Sequence, residues 1–365
     1  MTLTIKEVTT SAEFDSIEQA WSILLSDLPH LSIFLSWKWL NLWWSTYATE
    51  NDRLHIILVE EHGELIALAP FYIQNNNTFR FIGSGELEIE EVATEYFDII
   101  CAPEKSSEIT TLLTKYINAN FSAILQFEFN NYLEQSTIHM LTQELSKQFW
   151  HKTSMIGLRY RAKLPSNFVS FTKQCKPSLI KRVLRHKSKF TSTLAGDFTS
   201  YHKLEHLDEG LAILEKLHTQ RWNDKKMSGA FSSRKFQQFH ANFCRYAIEK
   251  EWLQLWILSA NNEPICAIYG FQYQDTCYFY QSGVNTHFTP NISPGYLCHL
   301  LLIEKCIKRE LCYYDFMKGS KVNSYKSKLA NDTTPMFDSN LLKKSYCNVP
   351  QLVKWYLIKF KSFIK

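Results

Sequence analysis

The residues with the most chemical reach lie in the second half of the chain. His218 and Trp222 stand four apart in a helical pattern and share a face. An imidazole that titrates near neutrality suits a general base, and a hydrogen-bonded, part-buried histidine gives the same pattern. Arg221 beside them suits either an anionic group or a nearby carboxylate. Asp315 falls at the end of a predicted strand, Cys312–Phe316, where α/β sheets collect functional groups. It suits a base, a holder for a cationic amine, or a cap on the turn Met317–Ser320. In the first half, acids crowd one turn: Glu86, Glu88, Glu90, Glu91 and Glu95. Such a cluster repels phosphates by about 1 kcal/mol per close pair even in water, and attracts cations.

These groups need elements to hold them. Leu54–Val59 and Leu65–Ile73 alternate as strands around the turn Glu60–Gly63, and Phe79–Ile82 follows as a third. The order recurs later: Leu253–Leu258 and Ile265–Tyr273 flank Ala260–Glu263, and Cys277–Gln281 comes next. Helices are predicted over Phe14–Ser26, Trp37–Tyr47 and Ser106–Ala119 in the first half. In the second they are predicted over Asp208–Arg221, Ser233–Lys250 and Gly295–Arg309. Each half closes on a further strand, Ala123–Phe129 or Cys312–Phe316. Repetition of one supersecondary order predicts a mixed α/β (α+β) chain of two tandem units. The expected divisions are 1–172, 173–340 and a basic aromatic tail, 341–365, with the join in the basic stretch Lys173–Lys189.

Composition narrows the classes. Apolar residues make up 45% and charged residues 21% of the 365, which is a globular balance and not a disordered one. A formal charge of +4 is too small for a dedicated DNA binder, so no DNA partner is expected. The 9 cysteines are scattered with no paired spacing, which predicts reduced thiols, a cytoplasmic setting and no metal. Cys266, Cys277 and Cys312 fall in predicted strands and read as small core hydrophobes. The opening residues lack a basic, apolar leader pattern, and no stretch reaches the ~20 apolar residues of a membrane span.

Motif order in the second half is more specific. His218-Thr219-Gln220-Arg221-Trp222 is followed by Gly229-Ala230-Phe231, then Tyr280-Gln281-Ser282-Gly283-Val284. Ser293-Pro294-Gly295-Tyr296-Leu297 opens a helix, and Tyr314-Asp315-Phe316-Met317-Lys318-Gly319 precedes Tyr325-Lys326. With Phe34–Trp43 and Glu95-Tyr96-Phe97-Asp98 in the first half, this order resembles the CelD-type (cellulose-biosynthesis) acetyltransferases of the GNAT superfamily. These are related in shape to the tandem Fem-type transferases. The resemblance covers roughly residues 30 to 335.

The resemblance implies an N-acyltransferase that moves an acyl group from acyl-CoA to an amine on a small molecule or glycan, in envelope or polysaccharide biosynthesis. Transfer requires a base, polarisation of the thioester carbonyl and acceptance of a thiolate. It implies Asp315 and His218 as candidate bases and Tyr325 as acid toward the thiolate. Gln281, Ser282, Ser293, Gly295, Tyr296 and Lys326 would face the donor; Arg221, Trp222, Tyr280, Glu90 and Glu91 would face the acceptor. The usual glycine-rich donor loop is absent, and Ser293-Pro294-Gly295 stands in its place, where a helix N-terminus can meet pyrophosphate. The alternatives are an aminoacyl-tRNA donor, met by Lys176–Lys189, and a binding module without catalysis. The tail, with Trp355, Tyr356, Phe360 and Phe363 among lysines, suits contact with an anionic membrane face. The catalytic cleft is expected in residues 200–335, with the first half supplying a wall of the acceptor site.

Overall fold

The computed structural model describes residues 3–224, 226, 229–288, 292–319, 325–345 and 348–354. Two compact units emerge. One holds residues 1–85, 93–156 and 335–365; the other holds 86–92 and 157–334.

The first unit comprises β1 (Leu3–Val8), α1 (Ser11–Ser16), α2 (Glu18–Ser26), α3 (Trp37–Tyr47), β2 (Arg53–Glu61), β3 (Glu64–Gln74), β4 (Thr78–Phe81), β5 (Ile100–Cys101), α4 (Ser106–Asn120), β6 (Gln126–Leu133), α5 (Thr137–Ser146) and the start of β7 (Phe149–Lys163). Local chemistry sets several of these boundaries. Thr10 and Glu13 form a reciprocal capping box at α1, and the Ser36 hydroxyl accepts the Trp39 N–H at α3. The expected single helix over Phe14–Ser26 is broken at Ile17. β2 and β3 meet through His62 and Gly63, both at positive φ, as a two-residue hairpin requires. The core is a phenylalanine stack in which Phe71, Phe79, Phe81, Phe127 and Phe129 are fully buried.

The second unit adds α6 (Phe168–Gln174), α7 (Pro177–Thr193), β8 (Asp197–Ser200), α8 (Leu204–Asn223), α9 (Arg234–Glu249), β9 (Leu253–Ala260), β10 (Glu263–Tyr273), β11 (Thr276–Val284), α10 (Pro294–Lys308), β12 (Tyr313–Gly319) and the start of β13 (Asp332–Lys343). Its strands run in the order β7-β12-β11-β10-β9-β8. The β9–β10 hairpin turns on Asn261 and Asn262, again both at positive φ. Ser293 to Lys308 packs its apolar stripe (Leu297, Leu300, Ile303, Ile307) on this sheet.

The chain passes between units at 85/86 and 92/93, again inside β7 and again inside β13, and most of the basic stretch Lys173–Lys189, the expected join, forms α7. Residues 341–343 of the expected tail belong to β13, and Trp355, Tyr356, Phe360 and Phe363 lie outside the described residues.

Candidate active site

β11 and β12 run parallel and pair through three positions only, Thr276–Tyr313, Cys277–Tyr314 and Tyr278–Asp315. Beyond them the strands part, and each carries an irregularity at the parting. On β11, Gln281 faces Tyr269 while Phe279 faces Gly270, so Tyr280 is an extra, bulged residue. Gly270 is required there: a Cβ would lie 1.9 Å from the Tyr278 carbonyl oxygen. On β12 the register against β7 shifts between Asp315 and Lys318, and Met317 takes φ +61. The buried Asp315 carboxylate accepts the Met317 N–H at 2.7 Å and holds this kink. Asp315 thus sits at the closed end of the opening, with its carboxylate on the backbone of the kink.

α8 closes one side of the opening. A Cβ on Gly283 would lie 2.5 Å from the Leu217 side chain, so the bare glycine lets the helix touch the strand. His218 is buried, and its Nε2 accepts the Trp222 indole N–H at 2.9 Å. The lone pair is therefore occupied and the proton resides on Nδ1, which has no partner among the described residues. Burial, reinforced by Arg221, lowers the His218 pKa to about 4. This geometry does not support the expected general base: His218 is neutral and presents a donor. Arg221 Nη1 reaches the Ser282 hydroxyl at 3.4 Å. Gln281 and Ser282 are half-buried at the strand end.

α10 closes the other side. The Ser293 N–H is donated to His186 Nδ1 of α7 at 3.0 Å, and Pro294 has no N–H. Among the described residues nothing lies within 4 Å of a Cβ position on Gly295. The Arg182 guanidinium of α7 lies 5.9 Å from the Tyr296 ring, which brings the basic helix to the start of α10. The Tyr325 ring stands 6.5 Å from Tyr296 and 5.7 Å from His299. Burial raises its phenol pKa, so it stays protonated and acts as a hydrogen-bond donor, not a ready proton source. Lys326 Nζ donates to the Lys318 carbonyl of β12 at 2.5 Å and lies 6.0 Å from the Phe279 ring of β11, so the ammonium spans the parted strands.

Residues 86–92 of the acidic turn belong to the same unit, and Glu95 to the first. Glu90 pairs with Lys235 of α9 at 3.6 Å, and Glu86 accepts the Val92 N–H at 2.9 Å. Glu91 is exposed. The Tyr280 hydroxyl donates to the Val92 carbonyl, fixing the end of the turn to the bulge of β11. Sequence reasoning missed His240, which hydrogen-bonds Tyr280 at 3.1 Å; a mid-strand glycine, Gly270, was the available sign of the bulge beside it.

The first unit has a matching opening that is filled by its own chain. β4 and β6 pair in parallel at three positions, Thr78–Gln126, Phe79–Phe127 and Arg80–Glu128. Past them, Tyr96 and Phe97 both donate their N–H groups to the Asn131 carbonyl of β6, at 2.8 and 3.3 Å. Phe97 stacks on Phe81 at 5.1 Å, and Asn131 and Trp39 anchor Thr94. The Glu95–Asp98 motif is therefore a plug.

Among the described residues no group of three or more His, Cys, Asp or Glu is placed to hold a metal, and no helix is long and apolar enough to cross a membrane.

Residues 180–327 match the family model for the acetyltransferase (GNAT) domain. A comparison with curated proteins gave no match. Among solved structures, the chain is similar to the crystal structure of FemX, at 9% identity and TM-score 0.62 over 97% of this chain and 100% of that one. It is also similar to the C-terminal domain (DUF2156) of a putative lysylphosphatidylglycerol synthetase from Agrobacterium fabrum, at 7% identity and TM-score 0.55 over 96% and 98%. L-PGS from Bacillus licheniformis follows at 10% identity and TM-score 0.51 over 93% and 96%. The fold is thus a tandem pair of GNAT-like units. The protein is an acyltransferase, with its acetyltransferase domain in the second unit.

Proposed function

We propose that the second unit transfers an acyl group from acyl-CoA to the amine of a small-molecule or glycan acceptor, as a CelD-type enzyme of cell-surface polysaccharide biosynthesis working in the cytoplasm. The observation that carries this reading is the double-bulged parting of β11 and β12 beside the start of α10, where none of the described residues crowds Gly295. The donor's pantetheine arm enters between the strands, and its phosphates meet the first-turn amides of α10 at Gly295 and Tyr296. Backbone amides near Tyr280–Ser282 and the Lys326 ammonium stabilise the oxyanion as nitrogen attacks the thioester carbon. The carbon–sulfur bond then breaks and the pair leaves on sulfur, to which Tyr325 donates a hydrogen bond; of the acceptor ammonium's three protons, one passes to solvent before attack, one ends on the departing sulfur and one stays on the new amide. Glu90 and Glu91 attract the acceptor's ammonium, and Arg221 and Trp222 form the opposite wall. Asp315 contributes by holding the kink of β12.

Release of free thiol from acetyl-CoA in the presence of a glucosamine disaccharide tests the reaction. Acceptor-dependent release that falls at least tenfold in Lys326→Met is expected; release indifferent to the amine would refute the acceptor assignment.

One observation favours a second donor. Lys176, Lys181, Arg182, Arg185 and Lys189 are exposed along α7, and no acid occurs between Leu145 and Gly196. An aminoacyl-tRNA donor would use this surface. Its binding would weaken steeply with salt, and neutralising Lys181, Arg182 and Arg185 would flatten that dependence. Peripheral contact of the basic tail with an anionic membrane face fits either donor.

A further inference from the structure

Four buried side chains of the second unit form a chain whose proton directions can be assigned. The Tyr280 hydroxyl gives its only proton to the Val92 carbonyl, so toward His240 it must accept, and His240 Nε2 at 3.1 Å carries the proton. His240 Nδ1 is then a lone pair, and the Tyr269 hydroxyl at 2.9 Å donates to it. Tyr269 in turn accepts the Cys244 S–H at 3.3 Å. Every donor in the series is used, and every bond points toward Val92. Cys244, Tyr269 and His240 lie on or under α9 and β10 and are fully buried, whereas Glu88 and Glu91 in the turn they hold are exposed.

We propose that Cys244, Tyr269, His240 and Tyr280 form a one-way hydrogen-bond relay that clamps the Glu86–Val92 segment against β11, making Tyr269 and His240 positioning residues for the acceptor. The acceptor role of this segment rests on the reading given above; the clamp does not. Because Tyr280 is also the bulged residue of β11, the relay fixes the acceptor wall and the parting of the strands with one side chain. Tyr269 makes no hydrogen bond to the segment and its ring packs on Tyr280 at 5.5 Å, so it is the influence of its hydroxyl that passes through the tautomer of His240.

Tyr269→Phe removes the hydroxyl that selects the Nε2–H tautomer. Nitrogen-15 spectra of histidine-labelled protein should show His240 as Nε2–H in the wild type and as a tautomer mixture in the variant. Hydrogen exchange at residues 88–92 should accelerate at least tenfold, and Tyr280→Phe, which cuts the relay at its other end, should do the same. With acetyl-CoA and a glucosamine disaccharide, the acceptor KM should rise at least fivefold in Tyr269→Phe while kcat and the donor Kd hold. An Nδ1–H tautomer in the wild type, or unchanged exchange in both variants, overturns the relay. Changed tautomer and exchange with an unmoved acceptor KM overturns the positioning role. If no transfer is seen with any variant, the functional reading fails, and the spectra and exchange still decide the clamp.

Discussion

At the scale of single residues, hydrogen-bond direction decides roles that residue type leaves open. A histidine one turn from a tryptophan suggests a base, yet the indole N–H occupies the lone pair that a base would use. His218→Asn should therefore keep kcat within about tenfold, because a group that is not the base forfeits less than the 10²–10⁴ typical of one. The pH–rate profile should show no ionisation near 6.5 that vanishes in the variant. A loss above a hundredfold, with such an ionisation removed, would restore His218 as the base. Asp315 follows the same logic. Asp315→Ala strands the Met317 amide in a buried kink and should cost about 1–3 kcal/mol in denaturant unfolding. Asp315→Asn, which keeps an oxygen for that amide, should cost much less, and equal losses would show that the cap is not what the carboxylate supplies.

At the scale of elements, the two openings differ in what fills them. In the first unit, Asp98 accepts the N–H groups of Ile99 and Ile138, at 2.8 and 2.9 Å, and so ties the plug to the start of α5. Phe97→Ala should cost about 3–5 kcal/mol, as for other buried phenylalanines, without changing donor affinity. A shift in donor Kd would mean that the filled opening takes part in binding. Much of this scale was legible in the sequence. The strand–turn–strand–turn–strand order, α3 to the residue, and the helix opened by Ser293-Pro294-Gly295 all follow from period and caps. The plug was not legible, because Phe97 reads equally as a core residue, and only the parting of β4 from β6 gives it somewhere to go. An acid-free, lysine-rich stretch reads as a join between units. In fact its apolar residues Leu179, Ile180, Val183 and Phe190 recur at helical spacing and are buried.

At the scale of the whole molecule, buried histidines and the buried Asp98 carboxyl respond to pH in opposite senses, and burial lowers the pKa of His30, His55 and His139 of the first unit as well. Burial lowers the pKa of His240 and His299 to about 3, and that of His218 to about 4, all in the second unit. Each is below its unfolded value, so the unfolded chain binds more protons, and the stability present above about 6.5 is lost as pH falls. In the first unit, burial lifts the Asp98 carboxyl to about 7 despite the amides it accepts. Its contribution is present at low pH and declines as pH rises from about 4 to 7. Once corrected for intrinsic rate, hydrogen exchange at pH about 5 against about 7 should show β9–β11 less protected, while the start of α5, where Asp98 and His139 pull in opposite senses, changes less. An equal loss of protection at the start of α5 and at β9–β11 would contradict these assignments.

The division of labour is the central claim: one open donor site, in the second unit, and one closed by the chain itself. Isothermal titration with acetyl-CoA tests it most directly, run on the wild type, Gly295→Glu and Phe97→Ala. The account predicts one donor per chain, loss of binding in Gly295→Glu, where a carboxylate would stand at the amides meant for phosphate, and unchanged binding in Phe97→Ala. No binding at millimolar donor, or binding that survives Gly295→Glu and disappears in Phe97→Ala, would contradict it.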